Sequence, residues 1–288
     1  MTDANLDMEL VRRVVRAALE EDGAFQDVTT LSTVPPDQRG RGEFLSKDTG
    51  VLAGMPLVRA AFDAVDPSIE LHAALGDGSR LEFGSIIARV EGPLASILSA
   101  ERIALNFLQR LSGTATLTRQ LVDVVAGLPT RVVDTRKTTP GLRALERYAV
   151  RVGGGYNHRF NLADGVLIKD NHIAAGRSRG LTLAGVIASA RAGVPHTLRI
   201  EVEVTSLEEA WEAVEARADV ILLDNMTPQE MARCVKMIEG RALTEASGGI
   251  TVENAREIAE SGVDIMSSGA LTHSARALDI SLNIAVAE

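Results

Sequence analysis

The run Val220-Ile221-Leu222-Leu223-Asp224-Asn225-Met226-Thr227-Pro228-Gln229-Glu230 decides how the chain is read. Four apolar residues in a row are too few for a buried helix and suit a buried strand. Two polar residues follow, and then a helix start: Thr227 as cap, Pro228 where a missing N–H costs nothing, and Glu230 placed to reach back. A strand that ends in polar groups and passes at once into a helix is the unit of a parallel sheet.

The same rhythm extends in both directions. Apolar runs at Arg131 to Val133, Gly165 to Ile168, Ile200 to Val204, Arg241 to Glu245 and Val263 to Met266 predict further strands, at intervals of roughly 20 to 35 residues. Helices fit between them. Thr205 to Ala218 places Leu207, Ala210, Trp211 and Val214 on one face, with Thr205 and Glu208 as a capping box, and Thr251 to Gly262 turns Val252, Ala255, Ile258 and Ala259 inward. A βα barrel is the simplest closure, although six strands are fewer than the usual eight.

The first part of the chain has a different pattern. Leu10, Val11, Val14, Val15, Ala18 and Leu19 make one apolar helical stripe, with Gly23 as C-cap. From Arg39 to Ser96, short alternating segments (Gly42 to Leu45, Ile86 to Val90) and a helix near Pro56 to Val65 predict a small α/β layer. A long helical pattern from Ser99 to Val125 has a possible break at Gly113, which places a domain boundary between 1–112 and 113–275.

Composition narrows the function. With 288 residues, 45% of them hydrophobic, the chain can bury one large core or two. No stretch reaches the roughly 20 apolar residues of a membrane helix, and Met1 to Leu10 is acidic where a signal peptide is basic, so a cytoplasmic location is expected, with no membrane partner. The single cysteine, Cys234, excludes an internal disulfide and a thiolate cluster, and its spacing from Met231 and Ile238 makes it a core residue. A net charge of −9 argues against nucleic acid as a partner. Against that background, Arg131 to His172 carries eight basic and four acidic residues. Two of only four lysines, Lys137 and Lys169, fall within it beside 26 arginines chain-wide, so these two compact ammonium groups are candidates for a specific task.

In a barrel, the residues just after each strand crowd onto one face and form the active site. Here they are Asp134-Thr135-Arg136-Lys137, Lys169-Asp170-Asn171-His172, Glu201 and Glu203, Asp224-Asn225, Ser247-Gly248-Gly249 and Ser268-Gly269. The last two are glycine turns opening helices after the final strands, a common position for a phosphate cradle. Arg136, Lys137, His158, Arg159 and Lys169 are cations that suit a ligand carrying both carboxylates and phosphates. Glu201 and Glu203 share a strand face. With Asp224 they can hold Mg²⁺ through water, accept from sugar hydroxyls, or pair with Lys169 and Arg136 as a structural network.

At these residues the chain resembles the quinolinate phosphoribosyltransferase family. The similarity rests on Asp134 to Arg143, Gly153 to Arg159, Leu167 to His172, Glu201 to Val204, Leu222 to Asn225, Ser247 to Gly249 and Ser268 to Ser274, in order, with Asp27 to Thr30, Gly50 to Gly54 and Ala100 to Asn106 before them. Thr139, where the family usually has leucine, and Tyr156, at a variable position, are small departures. The resemblance implies an N-terminal α/β sandwich joined to an incomplete parallel α/β barrel, with the tail 276–288 returning to the first domain. It implies phosphoribosyl transfer from phosphoribosyl pyrophosphate to the ring nitrogen of quinolinate with decarboxylation, giving nicotinate mononucleotide for NAD synthesis.

By the same resemblance, Thr135, Arg136, Lys137, His158, Arg159 and Lys169 hold substrate, and Arg102 arrives from the partner subunit of a homodimer. Glu203 and Asp224 face the ribose and, indirectly through water or substrate, the Mg²⁺ that binds with phosphoribosyl pyrophosphate. Ser247, Gly248, Gly249, Ser268, Gly269 and His273 surround the 5′-phosphate. Lys137, Lys169, Glu203 and Asp224 are the expected catalytic groups. Three alternatives stay open: a paralogue acting on another aromatic acid, a Schiff-base lyase using Lys169, and a non-catalytic sensor of the same ligands.

Overall fold

The structure, a computed structural model, describes residues 6–286; Met1 to Asn5 of the acidic start, and Ala287 and Glu288 of the tail, lie outside the described residues. The chain forms two compact units. One comprises the chain up to Arg119, Pro140–Gly154 and the chain from Ala275; the other is Gln120–Thr139 with Gly155–Ser274.

In the first unit, α1 (Met8–Glu21) starts where the Asp7 carboxylate accepts from the Glu9 and Leu10 N–H groups, and it buries Val11, Val15 and Leu19. It is followed by α2 (Val28–Thr33), β1 (Arg39–Ser46), β2 (Gly50–Val51), α3 (Met55–Val65), β3 (Glu70–Ala73), β4 (Arg80–Leu81), β5 (Ile86–Pro93) and α4 (Leu94–Val124). The chain's last strand, Ile280–Val286, pairs antiparallel with β1, Ser46 facing Ile280, and the sheet continues through β5 to β3. Alternate residues of β1 turn inward, and Phe44 meets Phe62 of α3 edge to face at 6.1 Å. Also in this unit is α5 (Arg143–Val152), whose buried Glu146 is paired with Arg110 at 3.0 Å.

Helix α4 runs unbroken through Gly113, where the sequence allowed a break. The glycine serves a different purpose: a Cβ there would lie 2.0 Å from the Arg276 carbonyl oxygen, so only a bare backbone lets the two segments touch. The boundary expected between residues 112 and 113 therefore falls inside one helix.

The second unit holds β6 (Arg131–Val133), β7 (Val166–Ile168), α6 (Asp170–Arg177), α7 (Leu183–Gly193), β8 (Ile200–Val204), α8 (Leu207–Glu215), β9 (Val220–Asp224), α9 (Pro228–Ile238), β10 (Leu243–Ser247), α10 (Ala255–Glu260), β11 (Ile265–Ser267) and α11 (Ala270–His273). The strands lie in the order β6-β11-β10-β9-β8-β7, all neighbours parallel, and the outer strands β6 and β7 do not pair. This is the incomplete barrel that six strands allow. Thr227 and Glu230 form their capping box. On α8 the cap moves by one residue: Ser206 accepts from the Glu209 N–H, and Glu209 reaches back to Thr205. The buried face becomes Ala210, Ala213 and Val214, while Trp211 stays half exposed under the Arg241 guanidinium, 5.0 Å from the ring centre. Cys234 is buried in the core of α9. Among the described residues no helix is long and apolar enough to cross a membrane.

Candidate active site

The strand ends of the second unit surround a cavity of about 580 Å³. Its walls bring together Thr135, Arg136 and Lys137 after β6, His158 and Arg159, Lys169 after β7, Glu203 of β8, Asp224 of β9 and the Ser247 to Gly249 turn after β10. Residues up to 132 positions apart in sequence, Thr135 and Ser267, thus meet through the ends of the parallel strands.

The segments that carry the cations are tied down through their backbones. Asp134 is fully buried and accepts from the His158 N–H at 2.8 Å and the Asn157 amide at 2.5 Å, so it ties the loop after Gly155 to the end of β6. The Lys137 carbonyl accepts from the Thr272 hydroxyl at 2.7 Å, and the Lys137 side chain crosses over Gly269, where a Cβ would stand 2.8 Å from its Cδ. The Arg136 Nε is buried without a hydrogen-bond partner, among the described residues. Burial, and then the nearby charge of Arg136, press the Arg159 guanidinium toward losing its proton. Two crowded guanidinium groups, one with an orphan donor, form a site that gains most from an anion.

Glu203 lines the same cavity and forms a close ion pair with the Lys169 ammonium. An ammonium in an ion pair has no lone pair to attack a carbonyl, which weighs against the Schiff-base reading. Asp224 accepts from the Asn225 amide at 2.7 Å. Mg²⁺ takes octahedral oxygen ligands and binds proteins through one or two carboxylates, completing its shell with water and phosphate. Two carboxylates, one of them already paired, fit a cation that brings phosphate oxygens with it.

Below these groups, His158 Nε2 stands 3.2 Å from Glu201 and 3.5 Å from Glu245. Burial alone would lower the histidine pKa, but its hydrogen bonds to Glu201 and Glu245 outweigh this and push it up to about 10. His158 Nδ1 accepts from the Arg159 N–H at 2.8 Å, so the ring's proton belongs on Nε2, and any further proton is shared with the two carboxylates. Burial raises Glu201 in the same direction.

The Ser247 to Gly249 turn needs its glycines. Gly248 has φ +96°, and a Cβ on it would lie 2.2 Å from the Asn225 Oδ1. Gly249 also has positive φ, with nothing within 4 Å of where its Cβ would be. Asn225, itself left-handed at φ 55°, is anchored by its N–H to the Ser247 carbonyl at 2.9 Å. Glycine turns of this kind let the backbone N–H groups approach a ligand closely.

Other expected positions lie elsewhere. Arg102 is exposed on α4 and does not line the cavity. The Ser268 hydroxyl is buried and donates to the Ile250 carbonyl, and its neighbour Ser267 lines the cavity instead. Gly269 lies beneath Lys137, and His273 Nδ1 stands 2.6 Å from the Ser274 hydroxyl. The basic stretch is divided: Arg143, Arg147 and Arg151 belong to α5 in the first unit. Glu245 was missed from the sequence. Its signal was an acid inside a buried strand, two residues before Ser247 and so on the same face.

Comparison with known proteins identifies the family of this chain. Residues 27–112 match the N-terminal domain, and residues 114–283 the C-terminal domain, of quinolinate phosphoribosyl transferase. The chain is 43% identical over 264 residues to a probable nicotinate-nucleotide pyrophosphorylase (carboxylating) of Bacillus subtilis, covering 92% of this chain and 90% of that one. It is 40% identical over 297 residues to quinolinate phosphoribosyltransferase (decarboxylating) 1b of Nicotiana tabacum, covering 95% and 82%. The crystal structure of NadC from Streptococcus pyogenes superposes with a TM-score of 0.93 at 39% identity, covering 99% of both chains. Two domain matches that together span nearly the whole chain, and relatives alike along almost their full length, establish that this chain belongs to the quinolinate phosphoribosyltransferase family.

Proposed function

We propose that this chain joins quinolinate to the ribose of phosphoribosyl pyrophosphate and removes the ring's 2-carboxylate, releasing nicotinate mononucleotide, pyrophosphate and CO₂. Family membership supports the reaction. The observation that carries it within the site is the half-buried pair Arg136 and Arg159, close enough to repel and with an orphan Nε on Arg136, in one cavity with the glycine turn Ser247 to Gly249.

Arg136, Arg159 and Lys137, with Thr135 and His158, take the two carboxylates of quinolinate. Ser247, Gly248 and Gly249 take the 5′-phosphate, flanked by Ser268, Gly269 and His273. As the ring nitrogen attacks C1 of the ribose, positive charge builds on the sugar and negative charge on the leaving pyrophosphate. Glu203 and Asp224 face the first, Lys137 and Lys169 the second. Asp224 and Glu203 would hold Mg²⁺ indirectly, and the ion would supply positive charge to the departing pyrophosphate. The carboxylate then departs as CO₂, the positive charge of the quaternised ring nitrogen stabilises the electron pair left on the adjacent C2 until a proton takes it up, and the cavity orients that group and limits water.

A homodimer completes the site with Arg102 of the second subunit, in a cytoplasmic enzyme. Mixing Arg102→Ala with Lys137→Ala, each inactive alone, is expected to restore about a quarter of wild-type activity through mixed dimers; no recovery after subunit exchange would remove the shared site. The reaction itself is tested by supplying quinolinate and nicotinate in parallel with phosphoribosyl pyrophosphate and Mg²⁺. Nucleotide from quinolinate alone supports the proposal. Nucleotide from nicotinate alone moves the protein to a paralogous, non-decarboxylating activity.

A further inference from the structure

Parallel barrels usually fill their interior with branched apolar side chains. Here the interior holds His158, Glu201 and Glu245, whose ligand atoms lie within 4.8 Å of one another. These three groups separate two cavities. Glu245 and His158 line the active cavity, and all three line a second one of about 340 Å³, whose wall includes Val220, Leu243 and Ile265, the first residues of β9, β10 and β11. The trio therefore stands between the substrate end of the barrel and its opposite end.

The reaction proposed above, on which this inference rests, consumes a proton. When the bond between ring C2 and its carboxylate carbon breaks, CO₂ leaves and the electron pair stays on C2; a new C2–H bond must form to give nicotinate mononucleotide. Until it forms, the carbanion can recapture the CO₂. We propose that Glu245 delivers this proton, and that His158 and Glu201 replenish it from water in the second cavity.

The geometry assigns the order. Glu245 alone of the two acids reaches both cavities, while Glu201 lines only the second. His158 Nε2 lies between them, at 3.2 Å from Glu201 and 3.5 Å from Glu245, and its Nδ1 is occupied by the Arg159 N–H, so protons exchange on the carboxylate side of the ring. Glu201 Oε1 and Glu245 Oε1 are both buried without a hydrogen-bond partner among the described residues. An acid kept for structure has its oxygens satisfied; one that gains and loses a proton needs an oxygen free to carry it. Arg159, whose positive charge acts on Glu201, offsets the negative charge left after transfer.

The test is a single-turnover reaction with enzyme in excess over quinolinate, following pyrophosphate and CO₂ separately in wild type, Glu245→Gln and Glu245→Asp. Wild type should release both in step; absence of CO₂ from wild type would overturn the functional reading instead. In Glu245→Gln, CO₂ should lag pyrophosphate by at least about tenfold, with a nucleotide still carrying both carboxylates accumulating. Glu245→Asp should recover part of the CO₂ rate. A structural role for Glu245 would slow both products together, and that result, or two unchanged rates, would overturn the assignment.

Discussion

The two units bury acids in opposite ways. In the antiparallel unit, the Asp77 carboxylate accepts from the Gly54 N–H at 2.8 Å, the Met55 N–H at 3.0 Å and the Tyr148 hydroxyl at 2.6 Å. Burial still raises its pKa, yet both oxygens are used and they fasten the start of α3, whose own cap residue is a glycine. In the parallel unit, Glu201 and Glu245 share one histidine and each keeps a bare oxygen. The first arrangement spends its hydrogen bonds on holding the chain; the second leaves them for a ligand or a proton.

The sharpest contrast is between losing a cavity cation and losing the satisfied acid. Lys137→Ala should lower kcat/KM by about a thousandfold while the melting temperature stays that of wild type. Gly248→Ala comes next: a left-handed φ of +96° and a Cβ 2.2 Å from Asn225 must reshape the phosphate turn. A displacement of that kind costs about a hundredfold in kcat/KM, seen chiefly as a raised KM for phosphoribosyl pyrophosphate. Asp77→Ala should do the reverse, costing about 2–3 kcal/mol of stability in a urea titration, with kcat per folded molecule unchanged. Tyr148→Phe removes one of its three donors and should cost about 1 kcal/mol. If Asp77→Ala instead abolished turnover in folded protein, the division between the two kinds of acid would fail.

The smallest effect is on pH dependence. The His158 cluster holds its proton up to about pH 10, against an ordinary histidine value of 6.5. A raised folded pKa stabilises fully below the unfolded value and is lost as pH rises through the folded one. The melting temperature should therefore fall between about pH 6.5 and 10, and the slope should flatten in Glu245→Gln, which removes a partner that holds the proton.

Much of this was legible because the second unit repeats one device. Each buried strand ends in polar residues, so Lys137, Lys169, Glu203, Asp224 and Gly248 could be placed on one face from periodicity alone. Other features depended on contacts that no local pattern reveals. Gly113 looks like a helix break, and only the approach of Arg276 explains it. Thr205 and Ser206 can each cap a helix, and the one-residue difference decides whether Trp211 is core or surface. The arginines of α5 add to the local charge yet fold into the other unit. Glu245 sits in a run that reads as buried strand, and its meaning depends on His158, 87 positions earlier.

The most direct test of the central claim is product stoichiometry in wild-type protein. Quinolinate labelled in its 2-carboxylate is incubated with phosphoribosyl pyrophosphate and Mg²⁺, and labelled CO₂, pyrophosphate and nicotinate mononucleotide are measured in the same samples. Equal amounts of all three throughout the time course are the expected result. Pyrophosphate release without labelled CO₂, or no turnover of quinolinate at all, would contradict it.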